Sequence, residues 1–494
     1  MQKLCVFFYT IKDESVSAAD PGEKKNRKVR RMDKNAVVGY LAERAADFYR
    51  LSDKIWDNAE IRFKEKQSAE DYAAFLEAEG FRVTRQAGGV KTALRAEWGA
   101  GKPVIGFLGE YDALPDLSQK AGVAVKEPVT AGGNGHGCGH NLLGVGALMG
   151  AVGFKHYLET EGKPGTVVFF GCPAEEGGSG KTFMAREGCF DDLSCAFCWH
   201  PAPMNIMVPG TLLANNTVRY SFRGKTSHAA GSPEMGRSAL DALELLNIGI
   251  QFLREHVPST ARIHYAITDA GGISPNIVPD HASGLYQMRA PTPQIVADIY
   301  ARINDIARGA ALMTGTEVTI EFLKGTSNTL LIPALDEITD RNMREIRNTV
   351  ADAEDIAFAA EIEKTQAAPG KDPEQPFDLA VKPYNRAGNI PFPGSSDTGD
   401  VSWVCPLSQF GGVTWPKSTA AHSWQAVACG KSDFAHRGML FAGQVIAASA
   451  VDVYDQPEVI EEAWKQFRQK TGNLPYSCPI PKEISAEYLE SVIT

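Results

Sequence analysis

The chain has 494 residues, of which 44% are hydrophobic and 22% charged, a composition typical of a globular protein with more than one domain. Its formal net charge of -10 disfavours a broad nucleic-acid or membrane-binding surface, because phosphate groups are bound by basic faces. No apolar run approaches the roughly 20 residues that a transmembrane helix needs. The nine cysteines are odd in number and scattered, so we expect a reduced, cytoplasmic protein without a disulfide framework.

The N-terminal residues 1–31 are predicted to form a disordered extension. A short apolar stretch at residues 4–11 leads directly into charged residues, without the small-residue cleavage site of a secretory signal. The following residues 24–31 are basic and polar. We therefore expect the folded protein to begin at Met32.

Helices alternate with apolar strands over residues 36–199. Hydrophobic periodicity predicts helices at 36–57, 68–80 (opened by Ser68) and 141–158. Short apolar runs predict strands at 81–85, 92–97, 103–109, 166–171 and 194–199. This alternation predicts an α/β domain with a mostly parallel sheet.

The pattern changes after about residue 213. Strands are predicted at 216–223, 261–268, 282–290 and 316–323, with helices at 237–256 and 292–313. This βαββαβ order is typical of a ferredoxin-like α+β domain. A long helix is predicted from about residue 330, and residues 365–376 and 386–396 have the composition of loops. We therefore predict a discontinuous α/β domain, residues 32–213 and 328–494, interrupted by an inserted α+β domain at 214–327.

The sequence GHGCGHN at residues 135–141 brings Cys138 close to two histidines, just before a predicted helix. The glycines let the backbone fold tightly enough for the side chains to converge. Thiolate and imidazole are good ligands for zinc-like metals. Taken alone, this segment could equally be a helix-capping loop with an incidental cysteine.

Three further segments place potential metal ligands at the ends of strands or in a loop. Glu175 and Glu176 follow a buried strand, His200 ends another, and His422 lies in a loop far along the chain. One carboxylate of such a pair can bind metal while its neighbour accepts a proton from water. Each segment alone is more often ordinary surface or packing. Together with Cys138 and His140 they supply five ligands, and with Cys138 bridging these give three protein contacts to each of two metal ions.

Weaker signals complete a possible catalytic site. Asp112, in the sequence EYDALP, could orient a ligand histidine by contacting it without binding the metal itself. In the predicted insert, His228, Asn276 and Arg289 are the residue types that an oxyanion donor and a carboxylate clamp need. Each of these is more often a surface residue when it is considered alone.

A separate C-x-x-C pair, Cys195 and Cys198, could indicate a redox or zinc-binding module. No second pair stands at a zinc-ribbon spacing. Buried thiols on a strand are the favoured interpretation.

Several segments resemble the aminoacylase and carboxypeptidase superfamily of metallohydrolases that use two co-catalytic metal ions. The resemblance is to its amidohydrolase branch, in which cysteine replaces the usual bridging aspartate, and it runs from about Met32 almost to the C-terminus. The segments are GEYDALP (109–115), NGHGCGHNLLG (134–144), EEGGSGKTFM (175–184), REGCFDD (186–192), GGISPN (271–276), GDVSW (399–403) and PYSCPIPK (475–482).

This resemblance implies a zinc-peptidase-like α/β catalytic domain and assigns roles to the candidate residues. The implied metal ligands are Cys138, His140, Glu176, His200 and His422. Glu175 would be the general base and acid. His228 would stabilise the oxyanion, from the partner subunit of a dimer, and Asn276 and Arg289 would hold the substrate carboxylate. Residues 214–327 would form a lid and dimerisation domain.

The chain departs from the wider superfamily at one position. The early metal-ligand histidine, expected two residues before Asp112, is Glu110 here. The metal ions themselves could be manganese or zinc, because thiolate favours zinc while carboxylate and imidazole also suit manganese.

The implied activity is hydrolysis of the amide bond of an N-acyl amino acid, with p-aminobenzoyl-glutamate as the expected substrate. An N-acyl-amino-acid deacylase or a dipeptidase of the same fold is an alternative. A non-catalytic, metal-stabilised partner subunit is an alternative of another class. The resemblance is compatible with a homodimer or with a heteromer that contains a related subunit.

Overall fold

The computed structural model describes residues 33–366, 374–388, 390 and 394–492. The predicted extension 1–31 and parts of the predicted loops 365–376 and 386–396 lie outside these residues. The α-helices are α1 (Lys34–Glu43), α2 (Ala45–Asn58), α3 (Lys66–Ala78), α4 (His140–Glu161), α5 (Gly180–Arg186), α6 (Ala239–Leu253), α7 (Pro293–Thr314), α8 (Pro333–Glu345), α9 (Ala353–Lys364), α10 (Thr398–Ser402), α11 (Trp424–Cys429), α12 (Asp433–Asp455), α13 (Pro457–Thr471) and α14 (Ala486–Val492). The strands are β1 (Arg82–Arg85), β2 (Leu94–Ala100), β3 (Val104–Glu110), β4 (Gly165–Cys172), β5 (Cys195–Ala202), β6 (Met204–Met207), β7 (Ala214–Arg223), β8 (Arg262–Asp269), β9 (His281–Ala290), β10 (Glu317–Thr326), β11 (Asp378–Val381) and β12 (Leu407–Val413).

The larger sheet has eight strands in the order β1-β2-β4-β3-β5-β12-β6-β11. Its central strands β4, β3, β5 and β12 are neighbours and run parallel. Every residue of β3 is buried, because helices cover both faces of a sheet of this kind. On one face α4 and α12 pack against each other and against the central strands. The prediction of an α/β fold with a mostly parallel sheet is confirmed.

The smaller sheet has four antiparallel strands in the order β10-β7-β9-β8. Helices α6 and α7 pack against it, and β9 alternates between buried and partly exposed residues, as expected when one face is covered. The elements between Ala214 and Thr326 follow the predicted βαββαβ order. The role of this segment as a lid and dimerisation domain stays a prediction.

The predicted helix at 36–57 is two helices. At Arg44 the backbone leaves helical geometry, with φ -101° and ψ 4°. The break has a tertiary cause, because α1 packs against α12 whereas α2 packs against α3. The long helix predicted from residue 330 is likewise divided into α8 and α9.

The start of α3 shows a second difference from the sequence prediction. Ser68 is buried inside this helix and does not open it. The carboxylate of Glu60 instead accepts hydrogen bonds from the backbone N–H groups of Gln67 and Ser68, at 3.0 and 2.8 Å. A side chain from the preceding turn thus satisfies two donors of the helix N-terminus that have no partner within the helix.

Within the described residues, none of the helices is both long and apolar enough to cross a membrane.

Asp336, in the first turn of α8, gives the fold a pH dependence that can be measured. Burial raises the pKa of this carboxyl from 3.8 to about 7, although Ser408 donates a hydrogen bond to it at 2.8 Å. The folded chain therefore holds the proton of Asp336 more tightly than the unfolded chain does. The stability that this carboxyl contributes is complete below about pH 4 and is lost as the pH rises to about 7. We expect Asp336→Asn to remove this loss, so that the variant is more stable than the wild type at about pH 8.

The measurement is the free energy of unfolding of metal-free protein in urea between about pH 5 and pH 8. Asp340→Asn is the control, because Asp340 lies on the same helix and pairs with Arg344 near the surface. An Asp336→Asn variant that kept the pH dependence of the wild type would contradict the assignment.

Candidate metal centre

The predicted metal ligands gather at the carboxyl ends of the four central parallel strands. Cys138 and His140 lie at the start of α4, in the connection that follows β3. Glu176 follows β4, His200 lies near the end of β5, and His422 follows β12. Ligand sites in open α/β sheets form at this edge, because the strand ends and their loops converge there.

The five side chains form two groups that share one residue. Cys138, His140 and His200 form the first group, and Cys138, Glu176 and His422 form the second. Within each group the potential ligand atoms lie within 4.8 Å of one another. Cys138 Sγ is 3.4 Å from His200 Nε2, and Glu176 Oε1 is 3.1 Å from His422 Nε2. This is the arrangement that a bridging cysteine between two ions requires.

Two unusual backbone conformations hold the loops in place. Gly139 has φ 73°, and a β-carbon at this position would lie 2.9 Å from the side chain of Pro201. His422 also lies in the left-handed region, with φ 60°, and its backbone N–H donates to the carbonyl of Gly137 at 2.8 Å. Such strain in a non-glycine residue is typical of a position that the surrounding structure fixes for function.

Three buried atoms of this site make no well-aligned hydrogen bond among the described residues: His140 Nε2, Glu176 Oε1 and Glu110 Oε2. Their near polar neighbours are other side chains of the site, with Glu110 Oε2 3.2 Å from His140 Nε2 and Glu176 Oε1 3.1 Å from His422 Nε2. Buried polar atoms without partners are rare because leaving them unsatisfied costs free energy. Nitrogen and carboxylate lone pairs, together with a thiol, are the donor set of zinc- and manganese-type sites. The residues present therefore fit metal ions at both groups.

Asp112 lies where a residue that orients a ligand histidine is expected. Its Oδ1 is 2.9 Å from Nδ1 of His140, and its Oδ2 accepts a hydrogen bond from the backbone N–H of Glu176 at 2.8 Å. One carboxylate thus positions a residue of each ligand group. Burial opposes ionisation of Asp112, but His140 beside it lowers the carboxyl pKa.

Glu175 lies beside the ligands and belongs to neither of the groups that contain Cys138. Burial raises the pKa of Glu175 to about 8, an effect that the charge of Lys324 partly opposes. Lys324, on β10, donates a hydrogen bond to the backbone carbonyl of Glu175 at 3.1 Å. A carboxyl whose affinity for a proton is raised in this way is suited to general acid and base chemistry.

A buried ion cluster behind the site was missed by the sequence analysis. Lys181 is fully buried and contacts the carboxylates of Glu110, at 2.7 Å, and Asp397. The second oxygen of Glu110 lies 3.2 Å from Nε2 of His140. No local pattern could reveal this cluster, because its members come from β3, α5 and the segment before α10.

Replacing Lys181 by methionine is expected to destabilise the protein by about 3–5 kcal/mol, because two buried carboxylates would lose their counter-charge. The measurement is urea unfolding of metal-free protein, so that metal binding does not contribute. Lys465→Met is the control, since Lys465 pairs with Glu462 at the surface, and we expect it to cost at most about 1 kcal/mol. If Lys181→Met lowers the free energy of unfolding by no more than the control does, the prediction is refuted.

His228, Asn276 and Arg289 lie on the smaller sheet and its loops. The first two lie on loops whose backbones pair, since the N–H of Ala229 donates to the carbonyl of Asn276 at 2.9 Å. Nδ1 of His228 accepts from Gly231 N–H at 2.9 Å, and His228 is not part of either ligand group. Arg289 donates to Gln287 on its own strand. Their predicted roles toward a substrate stay predictions.

His136 and the two cysteines of the C-x-x-C pair are buried and lie in neither ligand group. His136 is buried, and its Nε2 is 2.9 Å from the carbonyl of Ile55. Cys195 and Cys198 are buried, free thiols on β5, as the favoured interpretation of the C-x-x-C pair predicted.

Residues 106–423 match the peptidase family M20/M25/M40. The chain is 44% identical to one of the subunits of p-aminobenzoyl-glutamate hydrolase of Escherichia coli, over 89% of this chain and 96% of that protein. It is 32% identical to Xaa-Arg dipeptidase of Mus musculus, over 61% of this chain and 68% of that protein. Among solved structures, a dinuclear metal-binding peptidase of the M20 family from Bacillus subtilis has the same fold, with a TM-score of 0.52 and 17% identity over 83% of this chain and 99% of that one.

Proposed function

Since the chain belongs to the peptidase family M20/M25/M40, whose members depend on metal ions to hydrolyse amide bonds, we propose that its substrate is p-aminobenzoyl-glutamate. The products are p-aminobenzoate and glutamate. The observation that carries the proposal is the pair of ligand groups sharing Cys138, with the buried Glu175 beside them. The 44% identity to a relative of this named activity, over almost its whole length, supports the choice of substrate.

We assign two metal ions, manganese or zinc, to this site. His140 and His200 with Cys138 would hold one ion, and Glu176 and His422 with the same cysteine would hold the other. Divalent cations at these ligands supply Lewis acidity for the amide carbonyl and lower the pKa of the attacking water. The thiol of Cys138 must lose its proton for this, and burial raises its pKa, so metal affinity should increase with pH.

In the proposed mechanism Glu175 accepts a proton from the attacking water as the new C–O bond forms. It then donates that proton to the amide nitrogen as the C–N bond breaks, which releases the amino group of glutamate. Asp112 keeps His140 in one orientation during this sequence through the 2.9 Å contact with Nδ1. We assign oxyanion stabilisation to His228, supplied by a partner subunit, and substrate carboxylate binding to Asn276 and Arg289.

The test is hydrolysis of p-aminobenzoyl-glutamate by purified protein that has been stripped of metal and then resupplied with manganese or zinc. Release of glutamate that returns with one metal supports the proposal and identifies the ion. Activity that returns only on addition of a related chain indicates a heteromer, in keeping with a relative that is itself named as one subunit of its enzyme.

A dipeptidase is the second candidate, because a relative 32% identical over 61% of the chain is an Xaa-Arg dipeptidase. Cleavage of dipeptides in the same assay, without cleavage of p-aminobenzoyl-glutamate, would keep the mechanism and change the substrate. A non-catalytic subunit is disfavoured, since a scaffold does not need a buried carboxylate such as Glu175 beside its metal ligands. Absence of activity under every condition would restore that alternative.

A further inference from the structure

Arg62 lies in the turn between α2 and α3, and hydrogen bonds on both sides of Arg62 fix this turn to loops of the candidate site. On one side, the carbonyl of Glu60 accepts a hydrogen bond from Ala113 N–H at 2.8 Å. On the other, the buried carboxylate of Glu65 accepts from Ala174 N–H at 2.8 Å. The backbone that carries Arg62 is therefore held rigidly against the loops of Asp112 and Glu175.

The side chain of Arg62 extends along Gly177, directly after the two glutamates. A β-carbon built on Gly177 would lie 3.5 Å from Cδ of Arg62. Within the described part of the chain, the buried Nε of Arg62 has no hydrogen-bond partner. Arg62 also forms no ion pair with any of the described residues, although the charges of Asp112 and Glu176 act on it. A half-buried guanidinium that is held in place with unused donors is a preformed site for an anion.

Lys324 places a second cation beside the same loop. Its amino group bonds to the carbonyl of Glu175 at 3.1 Å and forms no ion pair among the described residues. Arg62 and Lys324 thus flank the segment from Glu175 to Gly177. Once metal ions neutralise the nearby carboxylates, both cations favour a substrate that carries negative charge.

We propose that Arg62 binds the side-chain carboxylate of the amino acid released by the reaction, and so selects acidic over neutral or basic leaving groups. This inference rests on the proposed amide hydrolysis and refines its substrate class. Asn276 and Arg289 are assigned to the main-chain carboxylate, which every N-acyl amino acid has. A glutamyl substrate has a second carboxylate, and a planar guanidinium can bind it with two hydrogen bonds. A substrate with arginine as the released amino acid would place a positive side chain at this position, and Arg62 would repel it.

The test compares p-aminobenzoyl-glutamate with p-aminobenzoyl-glutamine, which differ only in that side-chain carboxylate. Binding is measured by calorimetry on metal-loaded protein carrying Glu175→Gln, so that turnover during the titration is slow. We expect the glutamate compound to bind at least about 10-fold more tightly. Adding Arg62→Gln should reduce this ratio to below about 2-fold, and Arg62→Lys should give an intermediate ratio because it keeps the charge but loses the planar fork.

Arg50→Gln is the matched control. It removes the same charge from α2, where Arg50 is 71% exposed and pairs with Asp47, and it should leave the ratio unchanged. Far-UV circular dichroism and thermal melts establish that each variant is folded. If Arg62→Gln does not fold, the inference is tested by whether Arg62→Lys lowers the ratio of the two affinities below that of the protein with Arg62 intact.

An unchanged ratio after the Arg62 substitution, or an equal loss for both compounds, would overturn the inference and leave Arg62 as a structural counter-charge. If the Arg62 substitution gives either of these results but the wild type hydrolyses both amides, the proposed function stands and the Arg62 inference fails. Binding that depends on Arg62, without hydrolysis by the wild type, would reject the function and keep Arg62 as a binding residue for the side-chain carboxylate. Binding of neither compound to protein with Arg62 intact would overturn both.

Discussion

Glu175→Gln is expected to slow hydrolysis of p-aminobenzoyl-glutamate by about 100- to 10,000-fold while the metal content stays unchanged. Glutamine has the same shape but cannot accept the proton of water or return it to the amide nitrogen. Glu175 is outside both groups that contain Cys138, so the substitution removes no predicted ligand. Burial raises the pKa of Glu175 to about 8, and positive charge bound nearby favours its ionised form.

The measurement combines kcat and KM with the metal content of the same sample. Glu187→Gln is the control, because this glutamate lies at the surface after α5 and pairs with Arg186. Near-normal turnover in Glu175→Gln would remove Glu175 from the mechanism. Loss of metal together with activity would instead make Glu175 a ligand, in keeping with a third cluster of Glu110, His140 and Glu175.

Cys138→Ala is expected to remove both metal ions, because Cys138 is the one residue common to the two ligand groups. His200→Ala and His422→Ala each change one group and should each lose one ion while they retain the other. The measurement is the metal-to-protein ratio by mass spectrometry after gel filtration, with activity recorded in parallel.

Cys172→Ala is the matched control, since Cys172 is also a buried free thiol but belongs to neither group. We expect it to keep both ions. A Cys138→Ala protein that keeps two ions would rule out the bridging arrangement. Retention of one ion would mean that the cysteine serves a single site.

The sequence by itself determined where the five predicted ligands meet. Each lies near the end of an apolar strand, at the start of a helix or in a loop, and the carboxyl ends of parallel strands share one edge of a sheet. The βαββαβ order of residues 214–326 was also predictable, because period-two and helical patterns are local properties of the chain. The breaks at Arg44 and after α8 were not predictable, because they depend on which helix packs against each segment.

Only the tertiary structure decided which charges surround the site. Lys181, Glu110 and Asp397 come from three separate elements, and Arg62 reaches the site because its turn is fixed to two loops from other elements. A buried lysine and a half-buried arginine have no local signature, since the groups around them depend on residues far away in the chain. Local periodicity therefore predicts the order of elements, and short motifs predict the candidate metal ligands, whereas the charges around the site come together only when the chain has folded.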